Sequence, residues 1–99
     1  MKYYLKTPQE IGQDLAIRLK TLRLIKKWKR ATLAARSGVT EASLKRFEQT
    51  GRISMESFLK LLSALGRLDE MEALLSPPPA HSIKELEQME KPLPRRGSI

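Results

Sequence analysis

The chain has 99 residues, 40% of them hydrophobic and 30% charged, with 19 Lys and Arg against 11 Asp and Glu for a net charge of +8. That length holds one domain with a modest core, and a tail. The absence of cysteine excludes a disulfide frame and a thiolate metal site and suits a reducing cytoplasm; no apolar run approaches the roughly 20 residues that span a bilayer, and the polar start lacks a signal-peptide core.

Charge is unevenly placed. Residues 1–52 carry 13 Lys and Arg against 4 Asp and Glu, a balance of +9, while residues 53–99 carry 6 against 7. A uniform excess would serve solubility alone. An excess confined to one half, in a chain of pI about 10.1, points to a face that meets phosphate.

In chain order, Tyr3-Tyr4-Leu5 is too short a run to define a strand. Thr7-Pro8-Gln9-Glu10 reads as a helix start, with a capping threonine, a proline at the first helical position and a glutamate that completes a capping box. The helix that follows carries Ile11, Leu15, Leu19 and Leu22 on one stripe and Ile17, Leu24 and Trp28 on another, which predicts packing on two sides. A second helix is expected over 30–37 and a third over 41–49, capped by Thr40 and closed by Gly51. Ser54 caps a fourth, in which Phe58, Leu61, Leu62 and Leu65 recur at helical spacing and Gly66 marks the end. Leu68, Met71, Leu74 and Leu75 predict a fifth. The expected fold is all-α, a five-helix domain over residues 7–76.

Pro77, Pro78 and Pro79 then force extended geometry and cannot continue a helix. The remaining tail, residues 77–99, contains a second capping pattern at Ser82 and Glu85, and Ile83, Leu86 and Met89 at helical spacing. Two turns are too few to hold a helix alone. The tail is therefore either a loose end or a segment that orders on a partner protein, with the prolines carrying it away from the domain.

The most specific stretch is 33–48, LAARSGVTEASLKRFE, which reads as two short helices around a tight turn. Leu33, Ala34, Val39, Leu44 and Phe47 are the positions such a pair must bury, and Gly38 sits where the backbone needs positive φ. Glu41, Ala42, Ser43, Lys45 and Arg46 are left to face outward from the start of the second helix.

On these residues the stretch from Thr7 to Leu75, about two-thirds of the chain, resembles the XRE family of lambda-repressor-like helix-turn-helix domains. Within that family, LKRFEQTGRISMESFLKLLSALG is similar to HipB-like antitoxins found beside HipA-type serine/threonine kinase toxins. The resemblance implies a homodimer that binds double-stranded DNA at an inverted-repeat operator and represses transcription, with a HipA-like kinase toxin as a further partner. Glu41, Ala42 and Arg46 match base-facing positions, and Ser43 and Lys45 match flanking ones. Arginine at 46 could pair bidentately with guanine, glutamate at 41 could accept from cytosine, and alanine at 42 could meet a thymine methyl. Thr40 and Arg52 match phosphate-contacting positions, as does Arg30, which stands where the family usually has glutamine. Arg23 and Glu48 match an internal ion pair, expected to be partly exposed. Helix 5 is the expected dimer contact.

Plainer readings stand beside these. Lys26, Lys27, Lys29 and Arg30 also fit the solvated end of helix 1. Trp28 reads as a core residue, because no second aromatic accompanies it as a stacking platform. Met55 and Met71 read as packing, and Arg95 and Arg96 as a phosphate-seeking end or nothing. No catalytic constellation is visible: there is no glycine-rich phosphate loop, and His81 has neither a nucleophile nor metal-ligand partners. A mainly protein-binding module with weak DNA affinity, or a stand-alone regulator, is the alternative to an autoregulating antitoxin. No cofactor, metal or membrane is expected.

Overall fold

A computed structural model describes residues 5–79, together with Glu87 and Gly97. The order is α1 (Pro8–Ile25), α2 (Arg30–Ser37), α3 (Glu41–Thr50), α4 (Met55–Ala64) and α5 (Asp69–Glu72), with no strand among the described residues. The architecture is all-helical. Segments of the tail from residue 80, including Ser82, Ile83, Leu86 and Met89, lie outside the described residues, as do Tyr3, Tyr4, His81, Arg95 and Arg96.

Local chemistry sets the starts of three helices. The Thr7 hydroxyl accepts from the Glu10 amide at 3.1 Å, and the Glu10 carboxylate accepts from the Thr7 amide at 3.2 Å, so two otherwise orphaned donors are satisfied. Thr40 accepts from the Ser43 amide at 3.1 Å to start α3, and Ser54 accepts from the Ser57 amide at 3.1 Å to start α4. Each such cap is worth about 1 kcal/mol.

The end of α1 departs from the sequence expectation. The helix closes at Ile25 with Lys27 in the left-handed region at φ 60. Lys27 N–H bonds Leu24 C=O at 2.9 Å and Trp28 N–H bonds Arg23 C=O at 3.1 Å, which ends a helix in the manner usually given to glycine. Trp28 is therefore outside α1 and lies half-buried against the core. The second stripe expected on α1 is not packed either. Ile17 and Leu24 are exposed, because α1 rests on α3 along a single side made by Ala16, Leu19 and Arg23.

The core joins Ala16 and Leu19 of α1, Leu33 of α2, Val39 of the following turn, Leu44 and Phe47 of α3, and Leu61 and Leu65 at the end of α4. Ala34, expected inside, is half-buried. Each large side chain fully withdrawn from water contributes about 1.5–3 kcal/mol. Between α2 and α3 the chain turns at Gly38, φ 79, where a side chain would meet nothing within 4 Å, so the need for glycine there is purely conformational.

A second glycine site is steric as well. Gly51, φ 77, ends α3, and a Cβ on it would sit 2.6 Å from the Gln13 nitrogen; a Cβ on Gly12 would sit 2.8 Å from the Gly51 oxygen. The backbones of α1 and the α3 end thus touch directly.

The fifth helix is a single turn, shorter than expected. It has no capping side chain at its start, and Leu75 takes φ 61 soon after its end. Leu74 and Leu75 lie past the helix and are exposed.

Candidate nucleic-acid interface

Helix α3 is divided lengthwise. Leu44 and Phe47, three residues apart, are buried, and the Phe47 ring meets Phe58 of α4 edge-on at 5.7 Å and 69°. With that side anchored, Glu41, Ala42, Ser43, Lys45 and Arg46 are all exposed. Thr40 is exposed at the cap, and Arg52 is exposed in the loop beyond, where its amide bonds the Thr50 hydroxyl at 3.1 Å. Seven of the eight residues assigned to DNA contact therefore lie along one short helix and its two ends. Gln49, also exposed, was passed over in the sequence. Its spacing of seven from Ala42 and three from Arg46 is the signal that places it on the same side.

The eighth, Arg30, is engaged inside the protein. Its Nε donates to Glu48 Oε1 at 3.0 Å, and its side chain remains 34% exposed. Glu48 is also the partner of Arg23, whose Nε donates to Oε2 at 2.8 Å and whose Nη2 donates to Oε1 at 3.0 Å. The remaining Arg23 nitrogen, Nη1, donates to the Trp28 carbonyl at 2.8 Å. The Arg23–Glu48 pair was expected to be partly exposed; its side chains are 6% and 1% exposed. Arg23 reaches inward from the packed side of α1, and Glu48 follows Phe47 into the interior, so water is excluded from both.

Burial pushes the Glu48 carboxyl up. The hydrogen bonds and positive charges of Arg23 and Arg30 outweigh that effect and hold it below the ordinary value of 4.5. Among the described residues no buried side-chain nitrogen or oxygen lacks a partner. One carboxylate thus fastens α1, α2, α3 and the α1–α2 turn together behind the exposed side of α3.

Two cations stand over the Trp28 ring. The Arg36 guanidinium carbon lies 4.5 Å from the ring centroid and Lys26 Nζ 5.2 Å, a cation–π arrangement. Lys26, Lys27 and Lys29 are exposed on the same turn. Among the described residues no group of three or more His, Asp or Glu could hold a metal ion, and no helix is long and apolar enough to cross a membrane. No family model matches the chain, and no curated protein is similar enough to it to count as a relative.

Proposed function

We propose that this chain is a sequence-specific DNA-binding protein of the lambda-repressor-like helix-turn-helix kind, which lays α3 into the major groove. The observation that carries the reading is the division of α3, with Leu44 and Phe47 buried and Glu41, Ala42, Ser43, Lys45 and Arg46 all exposed. A helix of 10 residues is about 15 Å long and about 10 Å across. The major groove is about 12 Å wide, and base edges there differ in their donors and acceptors.

Exposed polar groups at the two ends of α3 and at the start of α2 support the reading as phosphate contacts. Arg52 stands beyond the C-terminal end of α3, Thr40 stands at its start, and α2 begins without a side-chain cap, leaving its first amides for solvent or an anion. Arg30, tied to Glu48 by Nε, can offer only its outer nitrogens. Its part is to brace the start of α2 as much as to touch the backbone. One α3 makes too few contacts for tight specific binding, so two copies on an inverted repeat complete the proposal, their α3 helices about 34–36 Å apart. Bound at a promoter, such a dimer acts as a repressor.

The likeness of residues 44–66 to HipB-like antitoxins extends the proposal to autoregulation of an operon and to capture of a HipA-like kinase. A kinase-encoding neighbour gene, and co-purification of its product with this chain, supports that extension; a neighbour of another kind leaves a stand-alone regulator. The DNA reading is tested by selection from a pool of random duplexes. Enrichment of one inverted repeat is expected. Recovery of unrelated sequences at equal affinity would leave a protein-binding module that touches DNA only through its charge.

A further inference from the structure

Ala42, Arg46 and Gln49 form the part of α3 that lies farthest from the core. At about 100° per residue, Gln49 stands about 140° round the helix from Leu44 and about 160° from Phe47, the two side chains that are buried. Arg46 lies about 60° from Gln49 and Ala42 about 20°, and all three are exposed. The next residue does not share this freedom. The Thr50 hydroxyl donates to the Arg46 carbonyl at 2.7 Å and accepts from the Arg52 amide at 3.1 Å. Thr50 is thereby turned back onto the helix end, and Gln49 is the last side chain of α3 left to reach outward.

We propose that Gln49 reads an adenine, and that this adenine occupies the base pair next to the guanine read by Arg46. The inference rests on the DNA-binding reading and goes beyond it by naming two adjacent bases of each half-site. A glutamine amide carries donors on its nitrogen and an acceptor oxygen, which match the N7 acceptor and the N6 amino donor of adenine. The guanine edge presents two acceptors and leaves the amide oxygen unpaired. Spacing makes the two bases neighbours. Residues three apart rise by about 4.5 Å along a helix, and helices seated in the major groove read successive bases with side chains at that spacing. With Thr40 and Arg52 on phosphates at its two ends, α3 lies along the groove, so a residue near its C-terminal end reaches the bases as well. Ala42, one turn before Arg46, is small and lets the helix approach closely.

The test carries the full chain through selection from a pool of random duplexes as wild type, Arg46→Ala, Gln49→Ala and Gln49→Arg. Both positions are exposed, where substitution changes stability little. The wild type should enrich half-sites with a G·C pair beside an A·T pair. Arg46→Ala should lose the preference at the first of these. Gln49→Ala should lose it at the second alone, and should bind the wild-type site about 5- to 150-fold more weakly. Gln49→Arg should change the second pair to G·C. Equal weakening of selected and random duplexes by Gln49→Ala would make the residue a phosphate contact and overturn the proposal. Unchanged preference in both Gln49 variants, or a loss at a pair not adjacent to the one that depends on Arg46, would overturn it equally. A wild-type pool with no enriched sequence would overturn the DNA-binding reading itself, and this inference with it.

Discussion

Glu48 accepts three N–H bonds from two arginines, and this concentration of charge in a dry place sets what happens when either side is removed. A surface ion pair contributes about 0–1 kcal/mol, but an arginine left buried without its carboxylate costs about 3–5 kcal/mol. Glu48→Ala should therefore destabilise the domain by that amount in denaturant unfolding. Arg23→Met with Glu48→Leu should cost much less than the sum of the single changes, because no fully buried charge is left unpaired and Arg30, 34% exposed, can turn to water. Strict additivity would mean that the pair is not made. The native carboxyl is held below its ordinary value, so the unfolded chain takes up the proton first as pH falls. The stabilisation is complete above pH 4.5 and drains away as the pH drops through the lower native value. The stability gap between the wild type and Glu48→Gln should close over that acidic range, and a gap independent of pH would contradict the assignment. On the exposed side of α3 the arginines divide by position. Arg46→Ala should cost about 1–3 kcal/mol on the selected site and relax preference at one base pair per half-site. Arg52→Ala should weaken every duplex alike and lower the salt slope by about one. Equal effects of the two changes on selected and random DNA would refute the division.

At the scale of elements, the direct contact of α1 with the end of α3 makes Gly12 a packing residue. Alanine favours a helix by about 1 kcal/mol over glycine, but a Cβ here meets a backbone oxygen at 2.8 Å, and overpacking of this kind costs about 1–3 kcal/mol. Gly12→Ala should lower the melting temperature by several degrees; a rise would show that α1 can shift away without penalty. Such a contact is invisible in sequence, since the two glycines lie 39 positions apart and neither follows a helical stripe. Starts of helices were far more legible. Thr7, Thr40 and Ser54 carry the caps their side chains announce, because a cap is a local bond between residues three apart. The end of α1 was not legible, because Lys27 takes a backbone conformation that only tertiary structure enforces on lysine. The same limit hid the place of Arg30. A charged residue at a helix start reads as exposed until the fold brings Glu48 beside it.

For the whole molecule, the division between buried and exposed sides of α3 and the +9 balance of residues 1–52 make one joint claim. Charge should supply the affinity for any duplex, and the exposed residues of α3 should supply the preference. The most direct test follows binding to the selected inverted repeat and to a scrambled duplex of equal length as salt is raised. Both affinities should fall steeply, log K dropping by about 0.9 per phosphate neutralised for each tenfold rise in salt, while the selected site stays favoured by at least about a thousandfold. A flat salt response, or equal affinity for the two duplexes, would contradict the account.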